Sequence, residues 1–398
     1  MDSQNLQDHK FIQLVEDHYN PLGVCRSLGE KGIKPIVILV THGNAPCMLN
    51  HSKYVSKFYT VESLEEGYDL LLNNYGNEAV KPFVFCSDDK TESFLDNRYD
   101  ELKDKFIFYN ATEQGRITRQ QNKDVITNLA VEAGLSIPNK EIVDTGTLPQ
   151  KLKYPIITKV LASTMGAWKD DVHICNSEAE LLEAYKSIKS PKLCLQEYIH
   201  KKGEFCMEGF SINDGKDVFI PLVCNYQRYY DNSYGHYMTF SPFTDDNLKQ
   251  KICTLFQKTK YNGIFEIEFM RGPNDEIYFL EINFRASTWN YAMTTGGGNL
   301  PYYWAKSTLL GRIPYEEMQI ATEPFNAMVE PEDLINNVFK SRTVKLFQWI
   351  KEVKNCKCHY YYNSKDSAPF WGYVKWRVLR NITKRLKRSK KVPRINYF

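Results

Sequence analysis

The sequence predicts an α/β fold that begins with a parallel sheet. Short apolar strands at 11–15, 35–40 and 83–86 are separated by stretches with helical patterns. Strands that alternate with helices favour parallel pairing, and such sheets bind ligands beyond the carboxyl ends of their strands. Asp88 directly follows the third of these strands and is therefore a candidate substrate residue. The alternative is an N-cap of the next helix, because a glutamate, Glu92, follows closely.

The remaining chain shows the same mixture of strands and helices. A turn-forming Asn213-Asp214-Gly215 sequence predicts a β-hairpin. Earlier in the chain, Gly134 marks the end of a predicted helix at 119–133. The expected elements are, in order, helix 119–133, strands 156–161 and 193–198 with helix 177–188 between them, strands 204–212 and 216–223, helix 245–260, and strands 264–270 and 276–282.

Composition excludes several classes of protein. The 398 residues are 42% hydrophobic and 25% charged, which is typical of globular chains and excludes wholesale disorder. No apolar run approaches about eighteen residues, so no transmembrane helix is expected, and the polar N-terminus lacks a signal-peptide pattern. The ten cysteines form no disulfide framework. We therefore expect a cytoplasmic protein.

The densest cluster of candidate residues lies on the last two predicted strands. Glu266 and Glu268 alternate with apolar residues on the first strand, and Glu281, Asn283 and Arg285 do so on the second. Period-two alternation places each set on one face of its strand, so the oxygen atoms converge if the strands pair. Such hard ligands suit Mg²⁺ together with nucleotide phosphates. The alternative is a solvated sheet face with an ordinary Glu–Arg pair, but the apolar neighbours favour a buried site that needs a cation.

A cation on an apolar strand points to the same chemistry. Lys159 ends the run Tyr154-Pro-Ile-Ile-Thr-Lys, and lysine is seldom buried without a partner. The loop of small residues at 162–167, which includes Ser163, could close over phosphates with its backbone N–H groups. Neither a P-loop sequence nor a dinucleotide-binding glycine fingerprint occurs.

The order of these motifs resembles that of the ATP-grasp superfamily of carboxylate–amine ligases. The motifs that carry the resemblance span most of the chain: Asn122-Lys123 at a helix start, Gly134-x-x-x-Pro138, Tyr154-Pro-x-x-x-Lys159, the loop at 162–167, Gln196-Glu197-Tyr198-Ile199, Glu204, Gly263-x-x-x-x-Glu268 and Phe279-Leu-Glu281-Ile-Asn283-Phe-Arg285. The resemblance implies an ATP-grasp fold in three parts: an N-terminal parallel α/β domain (1–115), a lid domain (116–210) and a catalytic domain (211–330). A C-terminal basic extension (331–398) follows them.

The resemblance also implies roles for individual residues. Lys123 and Lys159 would hold ATP phosphates together with the loop that contains Ser163. The backbone of Gln196, Glu197 and Tyr198 would face adenine, and Glu204 would face the ribose. Glu268, Glu281 and Asn283 would ligate Mg²⁺, with Mn²⁺ as a substitute, and Arg285 would stabilise the transferred phosphoryl group. In this chemistry a carboxylate attacks ATP to give an acyl phosphate and ADP, and an amine then forms the amide.

Within the superfamily the chain is most similar to bacterial D-aspartate ligases and to carbamoyl-phosphate-synthase-like ATP-grasp proteins. We expect a ligase that joins an amino-acid carboxylate, with D-aspartate as the leading candidate, to an amine of a cell-envelope precursor. Candidate substrate residues are Asp88, Arg228, whose guanidinium suits a carboxylate, and Asn299 in a glycine-rich turn. Three alternatives stay open: modification of a polysaccharide sugar, synthesis of a small dipeptide, and a catalytically silent nucleotide-binding scaffold.

The C-terminal end of the chain is strongly basic. Residues 368–398 contain ten Lys or Arg and no Asp or Glu, so the rest of the chain is net acidic. Within 371–388, apolar residues such as Trp371 and Leu386 fall on one helical face, and basic residues occupy most of the remainder. This pattern favours an anionic membrane surface as the partner of 371–391, which would place the protein at the inner face of the membrane. A helix that packs on the body is the close alternative, and nucleic acid is the least favoured partner.

Overall fold

The structure is a computed structural model that describes residues 5–41, 48–161, 171–230 and 233–389. The strands are β1 (Phe11–Glu16), β2 (Ile36–Val40), β3 (Lys57–Val61), β4 (Phe83–Phe85), β5 (Ile107–Phe108), β6 (Lys140–Asp144), β7 (Ile156–Lys159), β8 (Ile174–Cys175), β9 (Lys192–Glu197), β10 (Gly203–Ile212), β11 (Asp217–Tyr226), β12 (Tyr229–Tyr230), β13 (Ser233–Tyr234), β14 (Tyr237–Pro242), β15 (Gly263–Arg271), β16 (Ile277–Asn283), β17 (Phe325–Met328) and β18 (Cys358–His359).

The helices connect three main sheets. They are α1 (Tyr19–Gly29), α2 (Leu64–Tyr75), α3 (Asp89–Asp96), α4 (Tyr99–Leu102), α5 (Arg116–Gln120), α6 (Lys123–Glu132), α7 (Glu178–Tyr185), α8 (Asp246–Thr259), α9 (Asn290–Thr295), α10 (Leu300–Leu310), α11 (Glu330–Asp333), α12 (Leu346–Lys354) and α13 (Ala368–Ser389), with a π-helical turn at Leu334–Lys340. The predicted mixed α/β class is confirmed.

The N-terminal sheet is parallel, in the order β3-β2-β1-β4-β5. Its central strands are buried on both faces, which explains their continuous apolar sequences. The sequence prediction omitted β3, an edge strand whose Lys57 is exposed and whose pattern is therefore weak. Asp88 consequently follows the fourth strand and not the third.

The predicted helix at 119–133 is wrong in one respect, because the structure divides it into α5 and α6. The Asn122 side chain caps α6 by accepting a hydrogen bond from the Asp124 N–H at 2.9 Å. The backbone N–H of Lys123 donates to Leu161 O at 2.7 Å. This break places Lys123 in the first turn of a helix instead of in its middle.

The lid contains a four-stranded antiparallel sheet in the order β6-β9-β7-β8. It has a small apolar core of its own, formed by Ile156, Cys175, Leu181 and Leu195. This cluster is separate from the large core that the other two main sheets share. The lid is therefore a second packing unit, joined to the body by the segments that flank β6 and β9.

The largest sheet has seven strands in the order β16-β15-β10-β11-β14-β17-β18, and its first six strands pair antiparallel. The turn at Asn213, Asp214 and Gly215 forms as predicted, with all three residues at positive φ. The expected boundary at 210 falls inside β10, and β18 comes from the expected C-terminal extension. Among the described residues no helix combines the length and the apolar content that crossing a bilayer requires.

Candidate active site

A cleft of about 850 Å³ lies between the carboxyl ends of β1 and β4 and the hairpin of β15 and β16. Its polar and charged lining comes from both sheets and from the start of α6: Glu16, Asn20, Ser87, Asp88, Asp89, Lys90, Gln121, Lys123, Glu266, Glu268, Glu281, Asn283, Arg285 and Thr288. A ligand beyond the carboxyl ends of parallel strands is the arrangement expected of an α/β sheet. The sequence-predicted cluster at 266–285 therefore forms one wall of a cavity.

The β15–β16 pairing sets the carboxylates opposite one another. Glu266 pairs with Asn283, and Glu268 pairs with Glu281. The Asn283 Nδ2 donates to Glu266 Oε2 at 2.9 Å and to Glu268 Oε1 at 3.3 Å. Burial raises the pKa of Glu268 well above its usual range, and the neighbouring Glu281 and Glu266 add to the effect. Negative charge is thus concentrated where a divalent cation would stabilise it.

Lys123 neutralises one of these carboxylates from the start of α6. Its Nζ lies 2.6 Å from Glu281 Oε2. The Lys123 ammonium lowers the pKa of Glu281. Burial acts to lower the pKa of Lys123, but the attraction of Glu281 and Glu268 outweighs it and the pKa is raised. The pair therefore stays ionised.

Lys159 belongs to the lid and lies near Lys123 and Glu281. It ends β7, next to Cys194 on β9. Burial lowers the pKa of Lys159 to about 8, and repulsion from Lys123 contributes to the lowering. Glu281 and Glu204 oppose this shift. Two cations from different elements thus lie close enough to repel each other, an arrangement suited to a polyanion.

Arg285 connects the hairpin to the N-terminal sheet. Its Nε donates to Asp89 Oδ1 at 2.6 Å, and its Nη2 donates to Asn283 Oδ1 at 3.2 Å. The carboxylate of Asp89 raises the pKa of the Arg285 guanidinium against the opposing effect of burial. A permanent positive charge therefore stands beside the buried carboxylates.

The sequence left two roles open for Asp88, contact with a substrate and capping of the following helix. Its carboxylate caps α3 by accepting from the Thr91 N–H at 2.7 Å and the Thr91 Oγ1 at 2.8 Å. The same residue lines the cleft. The cap is therefore confirmed, whereas a contact with substrate stays a prediction.

Two other candidate substrate residues do not line the cleft. Arg228 forms ion pairs with Asp333 and Glu352 and stacks over the Tyr237 ring at 4.7 Å. Asn299 is buried, caps α10 and donates from Nδ2 to Ser27 O at 2.6 Å. The structure gives both side chains partners inside the protein, so neither belongs to the site proposed below.

The candidate adenine and ribose residues lie along the strand that leads out of the lid. Gln196 is buried near the end of β9, and Glu197 accepts from Asn139 Nδ2 at 2.8 Å. The Tyr198 N–H donates to Pro155 O at 3.1 Å, so its backbone has a partner within the protein. Glu204 pairs with Lys201 at 2.7 Å and is close enough to affect the pKa values of Lys159 and Glu268. Ser163 lies outside the described residues.

Sequence reasoning missed several residues of the site. Glu16 lines the cleft at the end of β1, and Asp89, which the sequence indicated only as part of the loop 87–89 after a strand, pairs with Arg285. The buried Glu208 accepts from the Ser287 hydroxyl and from the Trp289 N–H, the latter at 2.9 Å, and so holds the segment that follows Arg285. The position of Glu208 in the middle of an otherwise apolar stretch, 205–212, was a signal that could have revealed it.

The donor set fits a magnesium ion that is completed by other ligands. Among the described side chains no group of three His, Cys, Asp or Glu residues converges into a metal site. Glu268 and Glu281 face each other across the hairpin with the Asn283 amide beside them. Mg²⁺ usually takes one or two carboxylates and fills its octahedron with water and phosphate oxygens. Glu268 is buried next to two further carboxylates, and a bound Mg²⁺ would offset the repulsion among these negative charges.

Comparison with known proteins places this geometry among related folds. No protein-family model matches the chain. A curated relative, N5-carboxyaminoimidazole ribonucleotide synthase of Staphylococcus aureus, is 26% identical over 174 residues. The match covers 42% of this chain and 44% of the relative, so the chain spans less than half the length of the curated relatives it matches.

Solved structures match over a larger share of the chain. N5-carboxyaminoimidazole synthase from Aspergillus clavatus, in complex with ADP and 5-aminoimidazole ribonucleotide, superposes with a TM-score of 0.61 at 15% identity and covers 81% of this chain and 82% of its own. L-amino acid ligase from Bacillus licheniformis gives a TM-score of 0.59 at 14% identity, with 80% and 79% covered. The chain therefore has the ATP-grasp fold that its motifs predicted.

Proposed function

We propose that this protein is an ATP-dependent, ADP-forming ligase that activates a carboxylate and transfers it to an amine. One observation carries the proposal: Lys123 pairs with Glu281 at 2.6 Å in the cleft beside Glu268, and Lys159 of the lid lies near enough for its charge to interact with Lys123 and Glu281. Cations suit the phosphates of a nucleoside triphosphate, and carboxylates suit the divalent ion that accompanies it. Its residues come from α6, β7, β15 and β16, so the fold itself assembles them.

Each group has a stated task in the proposed reaction. Lys123 and Lys159 hold phosphate oxygens, and Glu268, Glu281 and Asn283 hold Mg²⁺. The ion, when bound, neutralises charge on the phosphates. Arg285 lies beside Asn283, 3.2 Å from its amide oxygen, where a fixed guanidinium stabilises the phosphoryl group in transfer.

The reaction balances without a covalent enzyme intermediate. A substrate carboxylate oxygen attacks the γ-phosphorus of ATP, the bond to the β-phosphate oxygen breaks, and ADP leaves. The amine then attacks the acyl carbon, phosphate leaves, and the amine loses a proton to solvent or a nearby carboxylate. No nucleophilic side chain is required for these steps.

The charge of the cleft favours an amine as the acceptor. Its lining contains six carboxylates, on Glu16, Asp88, Asp89, Glu266, Glu268 and Glu281, but only three cations, on Lys90, Lys123 and Arg285. Mg²⁺ held by Glu268 and Glu281 would offset part of this excess of negative charge, and the remainder attracts an ammonium group before it loses its proton. Because the chain resembles D-aspartate ligases, we propose an amino-acid carboxylate, with D-aspartate tested first, and an amine of a cell-envelope precursor as the acceptor.

The sequence match supports a second candidate, the synthesis of N5-carboxyaminoimidazole ribonucleotide. This is the reaction in the name of the curated relatives, and the match covers 174 residues. The acceptor would then carry a phosphate. Two of the three cleft cations are already paired, Lys123 with Glu281 and Arg285 with Asp89. The match covers less than half of the chain, so this candidate is tested second.

Trapping the activated carboxylate tests the proposal directly. The full chain is incubated with Mg·ATP, hydroxylamine and each member of a panel of D- and L-amino acids. Hydroxylamine intercepts an acyl phosphate as a hydroxamate, so hydroxamate and ADP should form together with one amino acid. Replacing the panel with bicarbonate and 5-aminoimidazole ribonucleotide tests the second candidate by ADP release.

Two variants of the β15–β16 hairpin test the metal site, one at a proposed ligand and one as a matched control. Glu281→Gln should lower ADP formation about a hundredfold or more, because it removes a metal ligand and the partner of Lys123. Glu276→Gln, on the exposed turn before β16, should leave the rate unchanged. ADP formation without hydroxamate would contradict the acyl phosphate, and full activity of Glu281→Gln would contradict the metal site.

A further inference from the structure

Helix α12 has an apolar face that points away from the protein. Phe347 is 82% exposed, Leu346 is 48% exposed and Ile350 is 38% exposed. At 100° per residue these three positions share one side of the helix. The other side packs on the body, where Glu352 pairs with Arg228. A helix in a globular protein normally turns its apolar stripe inward, so this outward face needs an explanation.

Cations surround this apolar face. Between residues 339 and 357 the exposed charged side chains are all basic: Lys340, Arg342, Lys345, Lys351, Lys354 and Lys357. Glu352 is the one acid in this stretch, and Arg228 already neutralises it. Phe339, in the preceding π-helical turn, adds another apolar side chain that is 59% exposed.

The first half of α13 repeats the pattern. Trp371 is 59% exposed, and Val378 and Leu379 are also more than half exposed, with Lys375 between them on the same side of the helix. The opposite side is anchored by the buried Tyr373, whose ring lies 4.7 Å from that of Tyr361. Beyond residue 380 the sequence adds seven further Lys or Arg and no acid.

We propose that the outward faces of α12 and α13 dock on an anionic phospholipid surface. Phe347, Leu346 and Trp371 would insert among the head groups while the lysines contact lipid phosphates. A second copy of the chain is a poorer occupant, because a symmetric pair would bring these cations face to face. A nucleic acid backbone would use the cations but would leave the exposed apolar side chains in water. The inference does not depend on the proposed ligase activity.

Vesicle flotation of the full chain tests the inference. Phosphatidylcholine vesicles with and without phosphatidylglycerol are compared at low and high salt. We expect flotation only with phosphatidylglycerol, and a loss of about tenfold in partitioning for Phe347→Ser or Trp371→Ser. Lys351→Gln should weaken partitioning by about fivefold, because one basic residue near an anionic surface contributes about 1 kcal/mol. Leu182→Ser, at a 44% exposed position on α7 of the lid, is the matched control and should float like the unaltered chain.

Each remaining outcome overturns the inference. Absence of flotation, or equal flotation on neutral vesicles, would exclude an anionic lipid partner. Flotation that salt abolishes but that Phe347→Ser leaves intact would exclude insertion of the apolar face. Sedimentation that shows a dimer dissociated by Phe347→Ser would assign the face to a second copy. Binding to a DNA or RNA oligonucleotide with no binding to anionic vesicles would assign it to nucleic acid.

Discussion

Lys159 is a cation whose charge is sensitive to pH near neutrality. Burial and the nearby Lys123 lower its pKa to about 8. An ammonium with a lowered pKa is protonated below that pH and is discharged as pH rises through it. Because phosphate recognition requires the charge, the affinity of the free protein for Mg·ATP should fall several-fold between about pH 7 and about pH 9.

Replacing the amine by a group that stays charged tests this prediction. Lys159→Arg should bind Mg·ATP with an affinity that no longer falls over this range, as measured by calorimetric titration at each pH. Lys186→Arg, at an exposed position of the lid, should keep the pH dependence of the unaltered protein. An unchanged pH profile in Lys159→Arg would show that another group controls it.

Single residues differ in how far the sequence around them predicts their contacts. The alternation around Glu266 and Glu268 is local, so the shared face of these carboxylates was predictable, and the register of β15 and β16 confirms that they face Glu281 and Asn283. Arg228 was not predictable in this way. Its partner Asp333 is 105 residues away, and no local pattern shows that these side chains meet.

Helix α6 depends on one capping side chain. Asn122 accepts from the Asp124 N–H at 2.9 Å, and the following Lys123 reaches Glu281. Replacing such a cap by alanine typically costs about 1 kcal/mol. Asn122→Ala should therefore lower the free energy of unfolding by about 1 kcal/mol and should also weaken Mg·ATP binding, because the first turn of α6 carries Lys123.

A second cap in the lid separates the two effects. Ser177 caps α7 by accepting from the Glu180 N–H. Ser177→Ala should cost a similar amount of stability in urea unfolding but leave nucleotide affinity unchanged. Equal affinity losses in the two variants would mean that general destabilisation, and not the position of Lys123, weakens binding.

At the scale of elements, burial decided which predictions succeeded. The buried strands β1, β2 and β4 have continuous apolar sequences and were predicted within a residue or two at each end. The edge strand β3 lacks that pattern and was missed. The division of 119–133 into two helices depends on the contact of the Lys123 N–H with Leu161 O, which joins α6 to the end of the lid strand. Such a tertiary contact overrides helix periodicity.

The whole molecule brings together segments that are far apart in sequence. Arg285 and Asp89 are 196 residues apart and form one ion pair across the cleft. Aromatic packing supports the same interface, where Trp304 of α10 lies edge-on to Phe83, Phe85 and Tyr109 at 4.9 to 5.6 Å. The sequence indicated the two sheets separately, but their docking depends on these long-range contacts.

The C-terminal segment is fastened to the first helix by a buried ion pair. The Arg26 Nε donates to Asp366 Oδ2 at 3.2 Å, and both side chains are almost completely buried. The remaining guanidinium nitrogens donate to the carbonyls of Tyr360, Tyr361 and Asp366 at 2.8 to 3.0 Å. Asp366 is further held by the Ser52 hydroxyl and the Lys53 N–H. The Arg26 guanidinium thus supplies hydrogen-bond donors to three backbone carbonyls of the segment that leads into α13.

Removing the cation should release that segment. Arg26→Met leaves the buried Asp366 carboxylate without its partner, which typically costs about 3 kcal/mol or more. In urea unfolding we expect a loss of that size, and limited proteolysis should cut first between α12 and α13. Arg312→Met removes an exposed pair with Glu316 and should change stability by less than about 1 kcal/mol. Arg26→Met/Asp366→Asn should recover part of the loss, because the unpaired charge is gone. A double variant as unstable as the sum of its parts would show that the backbone hydrogen bonds of Arg26, and not its ion pair, hold the segment in place.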